Sequence, residues 1–524
     1  MKLREHFTAL TIGWYFLAAA ATHAKLVLHL PLDGGSVSIP AGHASFVRGV
    51  VGDALAIRLP GEGLIVEPSV AGLKLSHAAA ISCWFKAERA PGAEFLIVDA
   101  GGCRLVLEEG TGRASFAARG VKGSLAGIAA ANKAYGYSNL GDGRWHHVAG
   151  CYDGRALIVY VDGVMEEILD ASGQIAAQDP RIIVGKTTSP GGKSTNAASC
   201  LIDDIRIYDE ALDYEAISKL ANRKTRRAET VDAKRVDLHQ DFLDKGVRPI
   251  QVHRGGGLAL PEHTLETYRQ TWAMGMIPEA DIRTTKDHAI ICMHDGDLKR
   301  VCPAAPAPWK TTPVEDMTLE RVKTFDVGAF RGRPGQKVPT LEEVFRDMRG
   351  RPERMLELDY KQIELGRLAS LIDKYGVKDQ VVFVTRRHHL IRQWQRVCPG
   401  AMTMLWMGGT EHALGRMFEQ LRRDGFTGIS ILQIILFPDA TADGFRPPIP
   451  YLKLCQSELE ERGIALQVIP WKISDPAVFE RLLSAGFRYF ATDYPETALE
   501  AYNRVVEPEL RGRSKERRLL QRGR

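Results

Sequence analysis

Met355-Leu356-Glu357-Leu358-Asp359-Tyr360-Lys361 places an ionisable residue at every second position of the stretch from Glu357. Side chains of a strand alternate between its two faces, so Glu357, Asp359 and Lys361 share one face. Seven further short β-rich runs accompany it: Ile250-Gln251-Val252, Ala280-Asp281-Ile282, Val381-Val382-Phe383-Val384, Met402-Thr403-Met404-Leu405, Gly428-Ile429-Ser430-Ile431, Ala465-Leu466-Gln467-Val468-Ile469 and Tyr489-Phe490-Ala491-Thr492. Helical stretches such as Leu341 to Met348, Leu368 to Tyr375 and Pro476 to Ala485 sit between several of them. Eight strands alternating with helices over about 250 residues predict a (β/α)8 TIM barrel.

The rest of the chain is organised differently. From Lys25 to about Ala221, short β runs are separated by Gly, Asp and Ser turns; Leu26-Val27-Leu28-His29-Leu30, Ala80 to Phe85, Ala156 to Val161 and Arg181 to Val184 are examples. That spacing predicts an all-β sandwich, with Asp153-Gly154 and Asp162-Gly163 as tight turns around one strand. The expected organisation is a signal peptide over 1–24, a β-sandwich over 25–221, a charged linker over 222–246, the barrel over 247–504 and a basic disordered tail over 505–524.

A hydrophobic content of 45% with 25% charged residues is that of a globular protein, and a net charge of +5 over 524 residues argues against a nucleic-acid partner. Lys2 and Arg4 precede an apolar stretch from Phe7 to Ala21, and Thr22-His23-Ala24 supplies small residues for cleavage. Export is therefore expected, to a secreted or periplasmic location, with no transmembrane span in the mature chain. Of the eight cysteines, Cys151 and Cys200 are the pair to test for a disulfide, with buried thiols as the alternative. No CxxC spacing is present to suggest structural zinc.

The chemistry concentrates after residue 247. Glu279 and Asp281 are two apart on a strand, about 7 Å at the backbone, and converge with the acidic residues of the Glu357–Lys361 strand. Oxygen-only ligands favour Mg2+ or Ca2+. Glu279 and Asp281 alone read equally well as part of a metal site or as a structural pair, whether surface carboxylates or a barrel-interior ion pair. Charge arithmetic favours a site: three carboxylates and a divalent cation sum to −1, Arg254 and Lys361 bring this to +1, and a phosphodiester closes it at zero. His253 and His294 each follow an apolar β run, one beside Arg254 and one beside Asp295, and suit proton donation and acceptance near neutral pH. Trp471, past the seventh run, reads equally as an apolar wall for a leaving group or as a structural tryptophan.

His253-Arg254-Gly255, Pro261-Glu262-x-Thr264, Glu279-x-Asp281 with Thr285-Lys286-Asp287, and His294-Asp295 together resemble the glycerophosphodiester phosphodiesterase signature. Leu298-Lys299-Arg300, Val338 to Val344, Asp359-Tyr360-Lys361, Pro470-Trp471 and Thr492-Asp493-Tyr494-Pro495 follow in the same order. The resemblance implies hydrolysis of glycerophosphodiesters to sn-glycerol 3-phosphate and an alcohol. It implies His253 and His294 as the acid/base pair, Glu279, Asp281 and Asp359 as ligands of Mg2+ or Ca2+, and Arg254 and Lys361 on the phosphate. Glu262 would lie at the metal or just behind it, with Glu357 as a spare candidate. Two positions depart from the pattern: His263 stands where asparagine is usual, with a consequence for how Glu262 is oriented, and Asp287-His288 replaces an Asp-Gly turn.

In the first domain, Gly143 to Gly150, Tyr160-Val161-Asp162-Gly163-Val164 and Ile202 to Tyr208 with Ala211-Leu212 resemble the laminin-G-like, concanavalin A-like jelly rolls. Such domains bind glycans or proteins, or space other modules, and targeting to a glycan or cell-surface polymer is the expectation here. Asp203-Asp204 read as strand-end turn residues or as part of a calcium site. Two other functions remain open: a phospholipase D- or C-like phosphodiesterase acting on lysophospholipids, and a non-catalytic glycan-binding or adhesion protein.

Overall fold

Period-two alternation governs both halves of the chain, and each half buries its alternate residues in its own way. The computed structural model describes residues 24–33, 45–57, 63–66, 73, 75–123, 132–176, 181–187, 199–223 and 238–522, and divides into two compact units at about residue 223. The expected signal peptide lies outside the described residues.

The first unit is a sandwich of two antiparallel sheets. One runs in the order Ser45–Arg48, Asp53–Ile57, Cys200–Tyr208, Ala79–Ala87, His146–Tyr152, Ala156–Val161, Val164–Ser172, Lys122–Gly123, with Leu26–Leu30 also paired to Cys200–Tyr208. The other runs Ala134–Asn139, Arg113–Ala118, Cys103–Leu107, Phe95–Ala100, Ile182–Thr187, Leu64–Val66. Phe85, Phe116, Val148, Leu157 and Ile202 fill the space between them. Asp162 and Gly163 both take positive φ, 49° and 74°, the conformation that lets a two-residue turn follow the strand twist.

Two expectations fail in this unit. Cys151 pairs with Ala80 and Cys200 with Ala87 on the one strand that separates them. Seven residues of strand, roughly 23 Å, exceed the reach of a disulfide. Asp203 and Asp204 are not end-of-strand turn residues, and among the described residues they belong to no cluster of three metal-ligating groups; they sit inside Cys200–Tyr208 at a bulge. Asp203 accepts from the amides of Val50 and Val51, and Asp204 pairs with His29 and Arg206.

The second unit is a closed eight-stranded parallel barrel: β1 Ile250–Val252, β2 Ile277–Thr284, β3 Leu356–Gln362, β4 Val381–Thr385, β5 Met402–Met407, β6 Ile431–Pro438, β7 Ala465–Pro470 and β8 Phe490–Thr492. Closure is made by β1, which pairs with β2 through Gln251 and Ile277 and with β8 through Val252 and Thr492. Gly428 to Ile431 is only the lead-in to β6: Gly428 has φ 79° and its carbonyl accepts from the Thr403 hydroxyl, so extended pairing starts at Ile431.

Lumen positions stack in layers. Ile277, Met355, Val382, Met404, Ile431 and Tyr489 form an apolar cluster. Phe242 joins that cluster from the helix Leu238–Asp244, edge-on to Tyr489 at 5.4 Å, so part of the expected linker belongs to the barrel. A polar layer includes Glu357, Gln433 and Gln467. Tyr489 donates to Glu357 at 2.5 Å, Gln467 donates to it at 3.1 Å, and Gln433 donates to Gln467. Burial, with the charges of Glu279 and Asp359, pushes the Glu357 carboxyl up to about 8, which favours its protonated form at neutral pH. The C-terminal stretch expected to be disordered is helix instead, from Pro495 to Arg522. Tyr502 and Val506 anchor it to the apolar core, and the Leu, Glu, Lys and Arg residues that follow favour its continuation.

Gly150 tests the sandwich packing. A Cβ there would stand 2.1 Å from the Phe116 ring. Gly150→Ala is expected to cost the first unit about 1–3 kcal/mol, read as a lowered denaturant midpoint of that unit's transition.

Candidate active site

Carboxylates come together at the C-terminal ends of β2 and β3 because the two strands are in register: Glu279 faces Glu357, and Asp281 faces Asp359. Glu279, Asp281 and Asp359 are all buried and offer ligand oxygens within 4.8 Å of one another. The Lys361 ammonium lies 2.8 Å from Asp281 and 2.6 Å from Asp359. Its single charge does not balance three. Burial and the charges of Asp281 and Glu279 push Asp359 up to about 7, even against Lys361. Asp281 is buried too, but Lys361 and His263 hold it well below the usual carboxylate range. Its Oδ1 meets only the Lys361 ammonium, 2.8 Å away, which leaves a lone pair unused. Three buried carboxylates, one with an unused acceptor, fit a hard divalent cation such as Mg2+ or Ca2+.

A tight turn after β1 supplies the next group. Arg254 takes a left-handed φ of 52°, and its amide donates to Glu279 Oε2 at 2.7 Å. Gly257 follows at φ 61°, where a Cβ would stand 2.2 Å from the Asp493 carbonyl. The turn also presents His253, whose Nδ1 is 2.6 Å from Asp493 Oδ1. Burial lowers the proton affinity of His253, but the Asp493 hydrogen bond and the charges of Glu279 and Asp493 outweigh it, and the net shift is upward.

His294 reaches the site by another route. Ile290–Cys292 is not a barrel strand; it folds back antiparallel on β2, with Cys292 opposite Ile282 and the Met293 amide donating to the Asp281 carbonyl. His294 therefore returns to the level of Asp281 and helps hold that carboxyl low. Its Nδ1 lies 2.7 Å from Asp295, and its carbonyl takes two donors from Arg283.

Glu262 and Glu357 both lie outside the three-carboxylate cluster. Glu262 accepts two bonds of 2.6 Å from Arg300 and one of 3.2 Å from Arg254, while Arg300 also holds Asp295 at 2.7 Å. Opposing burial, Arg300, His263 and Arg254 bring Glu262 down to about 2. Arg254 keeps its buried Nε–H without an acceptor, as suits a group that meets an anion. Glu357 lies in the layer behind. His263 hydrogen-bonds Asp281 and not Glu262, which it reaches only through its charge: its Nε2 is 2.7 Å from Asp281 Oδ2 and its Nδ1 3.0 Å from the Tyr268 hydroxyl. His288 takes φ 65° and so does the work of the glycine it replaces. Trp471 is half-buried, edge-on to Phe437 at 5.9 Å.

The sequence reading assigned no role to Asp493, Arg300 or Arg283. Asp493 is 240 positions from its histidine, and only closure of the barrel makes them neighbours. The pairing of Arg300 with Glu262 follows from the hairpin after β2.

Comparison with known proteins agrees with this geometry. Residues 253–398 match the model of the glycerophosphoryl diester phosphodiesterase family, and residues 62–218 that of the concanavalin A-like lectin/glucanases superfamily. The first match lies in the second unit and the second match in the first unit. A glycerophosphodiester phosphodiesterase of Caldanaerobacter subterraneus is 23% identical over 259 residues, covering 47% of this chain and 95% of that protein. One from Bacillus subtilis is 26% identical over 267 residues, covering 47% and 83%. A human lysophospholipase D is 25% identical over 280 residues, covering 48% and 83%. Among the described residues no helix is long and apolar enough to cross a membrane.

Arg300→Met would leave Glu262 with Arg254 alone. It is expected to cost about 2 kcal/mol at neutral pH, since the pair is only partly buried. Glu262 is held low in the folded state, so the stability it contributes is present above about 4.5 and lost as pH falls through about 2. The deficit of the variant should therefore shrink below about pH 4.5, which urea titrations at stepped pH would show.

Proposed function

We propose that this chain hydrolyses glycerophosphodiesters to sn-glycerol 3-phosphate and an alcohol, with a divalent cation, Mg2+ or Ca2+, held by Glu279, Asp281 and Asp359. The observation that carries this reading is the pair of carboxylate-anchored imidazoles, His253 on Asp493 and His294 on Asp295, one within reach of the charge of Glu279 and the other of Asp281 in the three-carboxylate cluster. When bound, the cation would supply charge to the phosphoryl oxygens as negative charge builds there.

The chain's own residues account for the remaining roles. Arg254 and Lys361 grip the phosphate oxygens. With Nδ1 tied to a carboxylate, Nε2 of each imidazole is the nitrogen that takes or gives a proton. One histidine takes the proton of the substrate's neighbouring glycerol hydroxyl, whose oxygen bonds to phosphorus. The other gives a proton to the departing alcohol as its bond to phosphorus breaks. Water then opens the cyclic phosphate with the two roles exchanged. Export to a secreted or periplasmic location, inferred from residues 1–24, would suit scavenging of diesters outside the cell. The first unit would hold the enzyme to a glycan or other surface polymer, a role supported by its domain match alone.

Release of glycerol 3-phosphate from a panel of glycerophosphodiesters, stripped with EDTA and then resupplied with Mg2+ or Ca2+, tests the reading. Activity should vanish and return, and His294→Ala should lose about 10²–10⁴-fold in kcat. Full activity in that variant would refute the acid/base assignment. Turnover of lysophospholipids alone would move the assignment to a lysophospholipase D.

A further inference from the structure

The mouth of the barrel has a second half, on β4 to β7, where the carboxylates give way to aromatic and cationic groups. Lumen positions two apart lead from Met404 to Trp406 on β5 and from Gln433 to Ile435 on β6, while Arg386 and Trp471 come just past the ends of β4 and β7, the Trp471 amide donating to the Leu436 carbonyl. Trp406 packs on the apolar lumen cluster that contains Val384 and Met404. A cation lies over each indole: the Arg386 guanidinium 5.3 Å from the centre of Trp406, and the Lys472 ammonium 4.2 Å from that of Trp471. Lys472 is set in place by its backbone. It takes a left-handed φ of 56°, and its amide donates to Asp493 Oδ2 at 2.8 Å. The other oxygen of that carboxylate holds His253 at 2.6 Å. One carboxylate therefore fixes both an acid/base imidazole and a lysine outside the phosphate grip. Left-handed backbone at a non-glycine residue persists where its surroundings over-determine it, commonly at functional sites.

We propose that this half of the mouth is the subsite for the departing alcohol, and that it selects alcohols carrying a negative charge over those carrying a quaternary ammonium. The inference rests on the phosphodiesterase reading above. A quaternary ammonium is recognised on open aromatic faces. Here a side-chain cation already lies over each indole, so a second cation would meet like charge. A carboxylate or further phosphate on the alcohol would instead face the exposed Lys472 ammonium, an attraction that salt weakens.

The test uses the full chain with Mg2+ and with Ca2+, and compares kcat/KM for three diesters. Glycerophosphoinositol 4-phosphate has an anionic leaving alcohol, glycerophosphoglycerol an uncharged one, and glycerophosphocholine a cationic one. The anionic diester should exceed the choline diester by about tenfold, and the ratio should fall as salt is raised. Lys472→Glu should invert the ratio, Lys472→Gln should bring it towards unity, and Lys472→Arg should keep it. Each ratio is taken within one protein, so it does not depend on how much of a variant folds. If Lys472→Glu yields no soluble protein, Lys472→Gln decides. A choline diester equal to or better than the anionic one, or a ratio unmoved by loss of the lysine charge, overturns the inference and leaves the phosphodiesterase reading standing. No release from any of the three overturns both.

Discussion

Closure of the parallel barrel between its first and last strands is the constraint on which the site depends. β1 is three residues long and is held on both sides, by β2 and by β8. The turn that leaves it carries His253, Arg254 and the glycines, and is further held by the Thr271 hydroxyl on the Gly255 carbonyl and the His263 amide on the Arg254 carbonyl. Pairing of Val252 with Thr492 brings Asp493 beside His253, and the same carboxylate then fixes Lys472. On the other side, the Arg254 amide ties the turn to Glu279. Loss of this closure would separate His253, Arg254 and the three-carboxylate cluster from one another.

Buried charge explains why the site is built in layers. Glu279, Asp281 and Asp359 repel one another, and Lys361 relieves the pair it touches without neutralising the set. Glu357 lies one layer below, where a carboxylate would add to the repulsion; burial and its neighbours favour the protonated form, and Tyr489 and Gln467 hold it. Arg300 sits between Glu262 and Asp295 and so couples the Arg254 side of the mouth to the His294 side. These supports lie behind the groups that would touch substrate, as a preorganised electrostatic site requires.

Much of the fold was legible because alternation of side chains is a local property. β1, β3, β4, β5, β7 and β8 fall within two residues of their expected starts, and Glu279, Asp281 and Asp359 share a face as the spacing implies. β6 was misplaced because its lead-in, Gly428-Ile429-Ser430, alternates small residues with isoleucine and runs without a break into the apolar strand that begins at Ile431. The Asp493–His253, Arg300–Glu262 and His263–Asp281 contacts are tertiary, and no spacing rule encodes them. The Cys151–Cys200 pair fails for the converse reason: composition allowed it, but one intervening strand holds the two at opposite ends.

Calorimetric titration of Mg2+ and Ca2+ into the metal-stripped chain is the most direct test of the central claim, that the three-carboxylate cluster holds a divalent cation. The account predicts one ion per chain for at least one of these metals, and loss of that binding in Asp281→Asn. It also predicts retention in Glu262→Gln, whose carboxylate belongs to the arginine pair instead. No binding of either ion, or binding unaffected by Asp281→Asn, would contradict it.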